Sequence, residues 1–333
     1  MMDTASIWAG IIFFAVFMYV VLDGFDLGIG MLYPFVPGKR ERDVMMNSVA
    51  PVWDGNETWL VLGGEGLLLA FPAAYSIILS GLYLPLIFML LGLVFRGVAF
   101  EFRFKANDRE RPVWDAAFIG GSTVAAFFQG VSLGAYLEGI PVSGRSYAGG
   151  PLDWLAPFPL AAGAGVMIAY TLLGATWLVM KTEGELQRRM VRLARVFTWL
   201  LLGAIAVVSV WTPLAHHEVA ERWFSFPNLL ILSPVPLLVV VAAALLLRAL
   251  RRGSCLRPFV AALALVLLGY AGMAISIWPH IVPPTITIAE AAAPPQTQGF
   301  ALVGTLFVLP FILGYTFWSY RVFRGKVTGE GYH

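Results

Sequence analysis

At 333 residues the chain is long enough for one or two soluble domains, but 59% of it is hydrophobic and only 13% charged, with a mean hydropathy of +0.78. About a quarter of an average soluble domain is charged, so a water-exposed surface is excluded and residues 1–333 read as a single integral membrane domain. A net charge of +2 gives nucleic acid no electrostatic hold, and the lone Cys255 excludes an internal disulfide and any cysteine-based metal or iron–sulfur centre.

A helix needs about 20 residues to cross about 30 Å of hydrocarbon. The first apolar run, 7–22, continues through Asp23 and Asp26 to Leu32. The second span, about 48–69, is unusual because it carries Asp54, Glu57 and Glu65. From Gly66 the chain stays uncharged to Phe95, too long for one helix. The Phe71-Pro72-Ala73-Ala74-Tyr75 segment splits it into the end of span two and most of span three. The runs 116–137, 154–180, 196–215, 228–247, 258–278 and 299–320 supply the rest. The expected fold is all-α, with about nine transmembrane helices packed as bundles. Gly24/Gly28 and Gly130/Gly134 have the spacing that lets helices approach closely.

Lysine and arginine in the loops set the orientation. Segments 38–47, 96–112, 181–195, 248–257 and 321–333 carry 20 of the 22 basic residues; the alternate loops hold only Arg145 and Arg222. The N-terminus is therefore expected outside and the C-terminus in the cytoplasm. The start Met-Met-Asp-Thr-Ala-Ser has no basic leader region, so the first span is expected to be retained. The outer loops 138–157, 216–227 and 279–298 are short, and the loop 182–195 reads as a basic amphipathic turn against anionic headgroups.

Carboxylates inside a bilayer cost about 3 kcal/mol or more each and are functional candidates by default. Asp23 and Asp26 share a face one turn apart near the cytoplasmic end of span one. Asp54 and Glu57 begin span two, and Glu65 returns to nearly the face of Asp54 roughly 16 Å deeper. A row of acids from the cytoplasmic surface toward mid-membrane has the geometry of a proton relay, and burial moves carboxyl groups toward exchange near neutral pH. The alternative is structural. Asp23 and Asp26 would then bond Asn47 or Ser48, or pair with Arg40 or Arg42, and Asp54 would cap span two with Glu57 as its capping-box partner.

His216, His217 and His280 fall in outer loops and His333 is the final residue, so no histidine lies mid-span for axial haem ligation. Two classes stay open on residues alone. One is a proton-conducting subunit of a larger redox enzyme. The other is a proton-coupled secondary transporter, whose usual internal repeats and matched broken segments are not evident.

Three segments carry a resemblance. They are Leu22-Asp23-Gly24-Phe25-Asp26-Leu27-Gly28-Ile29-Gly30, then Met46-Asn47-Ser48-Val49-Ala50-Pro51-Val52-Trp53-Asp54-Gly55-Asn56-Glu57-Thr58-Trp59-Leu60, and Phe95-Arg96-Gly97-Val98-Ala99-Phe100-Glu101-Phe102-Arg103. Together they resemble subunit II of the cytochrome bd family of quinol oxidases, and the third resembles its cyanide-insensitive branch. The resemblance implies a bacterial inner-membrane complex that oxidises quinol and reduces oxygen to water. It implies two b-type haems and one d-type haem in subunit I, and no tightly bound cofactor here beyond a structural quinone. Subunit I and lipid are the implied partners, with small single-span accessory subunits in some complexes. By motif, Asp26 and Asp54 look like acids of a cytoplasmic proton path, with Trp53 beside them. Glu57 stands where some relatives carry glutamine.

Overall fold

The computed structural model describes residues 4–327. The first three residues, the tail from 328 and His333 lie outside the described residues. The helices in order are α1 Thr4–Leu32, α2 Lys39–Asn47, α3 Trp53–Ala70, α4 Pro72–Arg103, α5 Arg111–Glu138, α6 Pro157–Lys181 and α7 Gly184–Ala215. They continue with α8 His217–Phe224, α9 Asn228–Leu232, α10 Pro234–Arg251, α11 Arg257–Ile277, α12 Ile288–Ala291 and α13 Pro295–Val322.

Among the described residues nine helices reach eighteen residues, and they match the nine expected spans in order. Eight are long and apolar enough to cross a membrane. The exception is α3, whose three acids lower its hydropathy. Phe71 is the only residue between α3 and α4, and Pro72 opens α4, where a missing N–H costs nothing. The break therefore falls within the segment that the sequence marks.

Three boundaries differ from the sequence reading. Segment 38–47 is a short helix rather than a loop, and the second long helix begins at Trp53 instead of about residue 48. The third span runs on to Arg103, so Arg96 lies inside a helix and not in a loop. The basic stretch after Lys181 is mostly the first turns of α7, not a free amphipathic turn. In α4 the charged Arg96 ends the uncharged run without ending the helix, because helix hydrogen bonding continues wherever buried partners accept the charge.

The N-terminal half forms the dense core, with α1 packed among α3, α5 and α6, and α4 against α5. The glycines make this approach possible. A Cβ on Gly28 would overlap the Tyr170 carbonyl oxygen, and one on Gly174 would lie 2.6 Å from the Gly28 backbone. Gly130 and Gly134 likewise face the α6 backbone at Gly163 and Pro159. Both expected glycine pairs therefore sit at helix crossings.

At one end two hairpins cover the bundle, Val142–Ser143 with Ser146–Tyr147 and His280–Val282 with Ile286–Thr287. Tyr136 donates to the Ile281 carbonyl at 2.8 Å and Ala293 N–H to the Ala70 carbonyl at 2.8 Å, tying this layer to α5 and α3. Thr287 and Glu290 form a reciprocal capping box, and the Thr287 bonds hold the Glu290 carboxyl below its usual range. Arg222 donates to the carbonyls of Ile275 and Trp278 at the end of α11, a position that favours a cation.

Candidate functional site: a carboxylate–arginine cluster between α1, α3 and α4

Near the opposite end, three helices bring charged groups together inside the bundle. Asp23 on α1 is 1% exposed, and Arg96 on α4 is fully buried. Arg96 donates through Nη1 to Asp23 at 2.5 Å and through Nη2 to Glu57 on α3 at 2.7 Å. The Glu57 side chain keeps 29% exposure, so the cluster is closed toward α1 and open at Glu57. Counting along each axis, Asp23, Arg96 and Glu57 lie about 14, 11 and 6 Å from their respective helix ends on this side.

One turn along α1, Asp26 is fully buried and accepts from Asn56 Nδ2 at 2.7 Å. Asn56 Oδ1 in turn accepts from the Tyr320 hydroxyl of α13 at 2.8 Å. One oxygen of each aspartate, Asp23 Oδ2 and Asp26 Oδ1, is buried without a hydrogen-bond partner among the described residues. Unsatisfied buried carboxylate oxygens are costly, and here two of them lie one turn apart.

The aromatic surroundings orient the guanidinium. Trp53 stacks on Phe100 with centroids 4.9 Å apart, and Arg96 lies over both rings at 5.9 and 6.0 Å. Deeper in the bundle a second polar chain leads away from Asp23. Tyr170 donates to Gln129 Oε1 at 2.7 Å, and Gln129 Nε2 donates to the Tyr19 hydroxyl at 2.6 Å. Tyr19, the acceptor at the end of this chain, stands one turn from Asp23 on α1.

The structure gathers Asp23, Asp26 and Glu57 and sets Trp53 beside them. It does not bring in Asp54 and Glu65, both of which are exposed. Their shared face is as expected from the spacing, but it points out of the subunit. Asp54 lies in the first turn of α3, whose N-cap is Val52 with no side-chain cap, so the capping-box alternative does not form. Two of the other alternative partners are engaged elsewhere, and no bond from Asn47 or Arg40 to either aspartate forms among the described residues. Ser48 donates to the Met45 carbonyl, and Arg42 pairs with Asp115.

Arg96, Asn56, Tyr320, Tyr19, Gln129 and Tyr170 are the groups that sequence reasoning missed. The signal for Arg96 was its place seven residues before Arg103, two turns along one helix face; both side chains are fully buried. Arg103 holds Asp115 at 2.5 Å and Asp43 at 2.6 Å, locking α2, α4 and α5 at this end. Among the described histidines, His217 is exposed and His216 and His280 are half-buried at helix or strand ends, away from the helical core. They do not fit axial haem ligation within a span.

Comparison with known proteins adds independent information. The family described as cytochrome bd terminal oxidase subunit II matches residues 4–323. The chain is 33% identical to cytochrome bd-I ubiquinol oxidase subunit 2 of Escherichia coli strain K12, covering 94% of this chain and 92% of that protein. It is 29% identical to cytochrome bd ubiquinol oxidase subunit 2 of Bacillus subtilis strain 168, with 93% of each covered. Its fold resembles the bd oxidase structure from Geobacillus thermodenitrificans, with a TM-score of 0.75 at 16% identity, covering 97% of this chain and 99% of that one.

Proposed function

Because the chain belongs to the cytochrome bd terminal oxidase subunit II family, we propose that its buried acids form the proton-uptake arm of a quinol oxidase in the bacterial inner membrane. The observation that carries this reading is the Asp23–Arg96–Glu57 cluster, buried at one end and open at the other. A relay needs a group in contact with water and further groups shielded from it. Glu57 is the first and Asp23 and Asp26 are the second.

Each residue has a distinct task. Asp54, exposed one turn before Glu57 on α3 and outside the cluster itself, collects protons from solution. Glu57 passes them inward. Arg96 stays protonated and carries no net proton; it compensates the negative charge so that Asp23 and Glu57 remain acceptors inside the bundle. Asp26 takes the proton next, and Asn56 with Tyr320 fixes its carboxyl plane. Trp53 covers the guanidinium and limits water on that side.

The oxygen chemistry is assigned to a haem-bearing subunit I, since the histidines of this chain do not suit haem ligation. Protons drawn from the cytoplasm, with quinol releasing its own outside, charge the membrane without a separate pump. The 20-to-2 partition of basic residues, read as a cytoplasmic C-terminus, supports a position for the cluster on the uptake side. A tagged chain purified from membranes and scanned reduced-minus-oxidised tests the reading. A haem-bearing partner supports it; a haem-free preparation that takes up a solute favours the transporter.

A further inference from the structure

The outward face of α3 carries a stripe at helical spacing: Asp54, Thr58, Val61, Glu65 and Leu68, all exposed. The opposite face, with Asn56, Trp59, Gly63 and Gly66, is buried. A lipid-facing helix is expected to be apolar along its length, and this one is not. Glu65 is the extreme case, five residues before the end of α3 and flanked by Val61 and Leu68 at 55% and 45% exposure.

Among the described residues no group answers that carboxyl. Glu65 makes no hydrogen bond or ion pair among the described residues. Neither α1 nor α3 contains a lysine or arginine. On α4, Arg96 serves Asp23 and Glu57, while Arg103 serves Asp43 and Asp115. The sole basic residue of α13, Arg321, follows Tyr320, which bonds Asn56 near the other end of α3. Snorkelling is also blocked. Helix side chains lean toward the N-terminus, so Glu65 points away from the nearer end of α3 and back into the hydrocarbon layer. Next to it, a Cβ on Gly64 would meet nothing within 4 Å, leaving space for another helix to approach closely.

We infer that Glu65 is an inter-subunit contact, accepting a hydrogen bond from a donor side chain on a transmembrane helix of the haem-bearing partner that lies along the Val61, Glu65 and Leu68 part of the α3 stripe and leaves Asp54 open to solution. This rests on the oxidase reading above for the existence of that partner. The contact fixes the depth at which the two subunits meet, since a single buried polar pair penalises every other register.

The test uses the whole complex purified in detergent, with haem measured per tagged chain. Wild-type protein without haem would remove the oxidase reading itself. With a haem-loaded wild type, Glu65→Leu is expected to retain at least threefold less haem-bearing partner after the same detergent wash, and Glu65→Gln, which still bonds, to retain most of it. Wild-type retention in Glu65→Leu overturns the inference. A photo-reactive residue at Val61, with Glu65 intact, gives an answer even if the leucine variant fails to accumulate. Crosslinks to the haem-bearing subunit are expected, and crosslinks to lipid alone overturn the inference.

Discussion

Arg96 and Asp23 meet at 2.5 Å with both side chains essentially withdrawn from solvent. Neither charge can be carried there alone. Their pairing joins the third long helix to the first and holds open a polar site that apolar packing would otherwise fill. Removing one partner of such a pair costs about 3–5 kcal/mol, because the other is left charged and buried. Arg96→Ala is therefore expected to lower the thermal midpoint of the solubilised complex by several degrees or to prevent its accumulation. Arg96→Lys keeps the charge but loses the two-pronged contact, and is expected to fall between. Midpoints followed by haem absorbance or tryptophan emission check both.

The glycine crossing between α1 and α6 gives a prediction independent of charge. Gly28→Ala puts a methyl group against the Tyr170 carbonyl, and overpacking of this kind costs about 1–3 kcal/mol. Gly269→Ala on α11, where nothing lies within 4 Å, is expected to be neutral or slightly stabilising through helix propensity. Thermal midpoints that fall equally in both variants would contradict the close packing described for α1.

Topology is checked by chemical access. In a Cys255→Ser background, Ser143→Cys, at the exposed end of the first strand of the first hairpin, is expected to react with an impermeant thiol reagent from outside. Lys39→Cys, at the start of α2, is expected to react only from inside. The opposite pattern would invert the orientation drawn from the basic residues.

Much of this architecture was legible in the sequence. Hydrophobic runs marked nine long helices in order, and the Phe71-Pro72 punctuation marked the one-residue break between α3 and α4. Asp23, Asp26 and Glu57 were identifiable because carboxylates are rare in spans. Their partner Arg96 was not, since an arginine after a long apolar run reads as the membrane edge unless its buried counter-charges are known. Asn56 and Tyr320 are ordinary polar residues 264 positions apart, and only the packing of α13 on α3 brings them together. The shared face of Asp54 and Glu65 followed from helical spacing, but which way that face points depends on the arrangement of the neighbouring helices.

In the proposed relay the buried carboxyls move protons. Quinol-driven oxygen consumption per haem, measured in membranes carrying Asp26→Asn, tests it most directly. Asparagine keeps nearly the same volume and can still bond Asn56, but it holds no exchangeable acid proton. Normal haem content with turnover lost is expected, with a partial fall for Asp54→Asn, which sits at the exposed entry. Full haem-normalised turnover in Asp26→Asn would contradict the relay and leave the cluster as a structural ion pair.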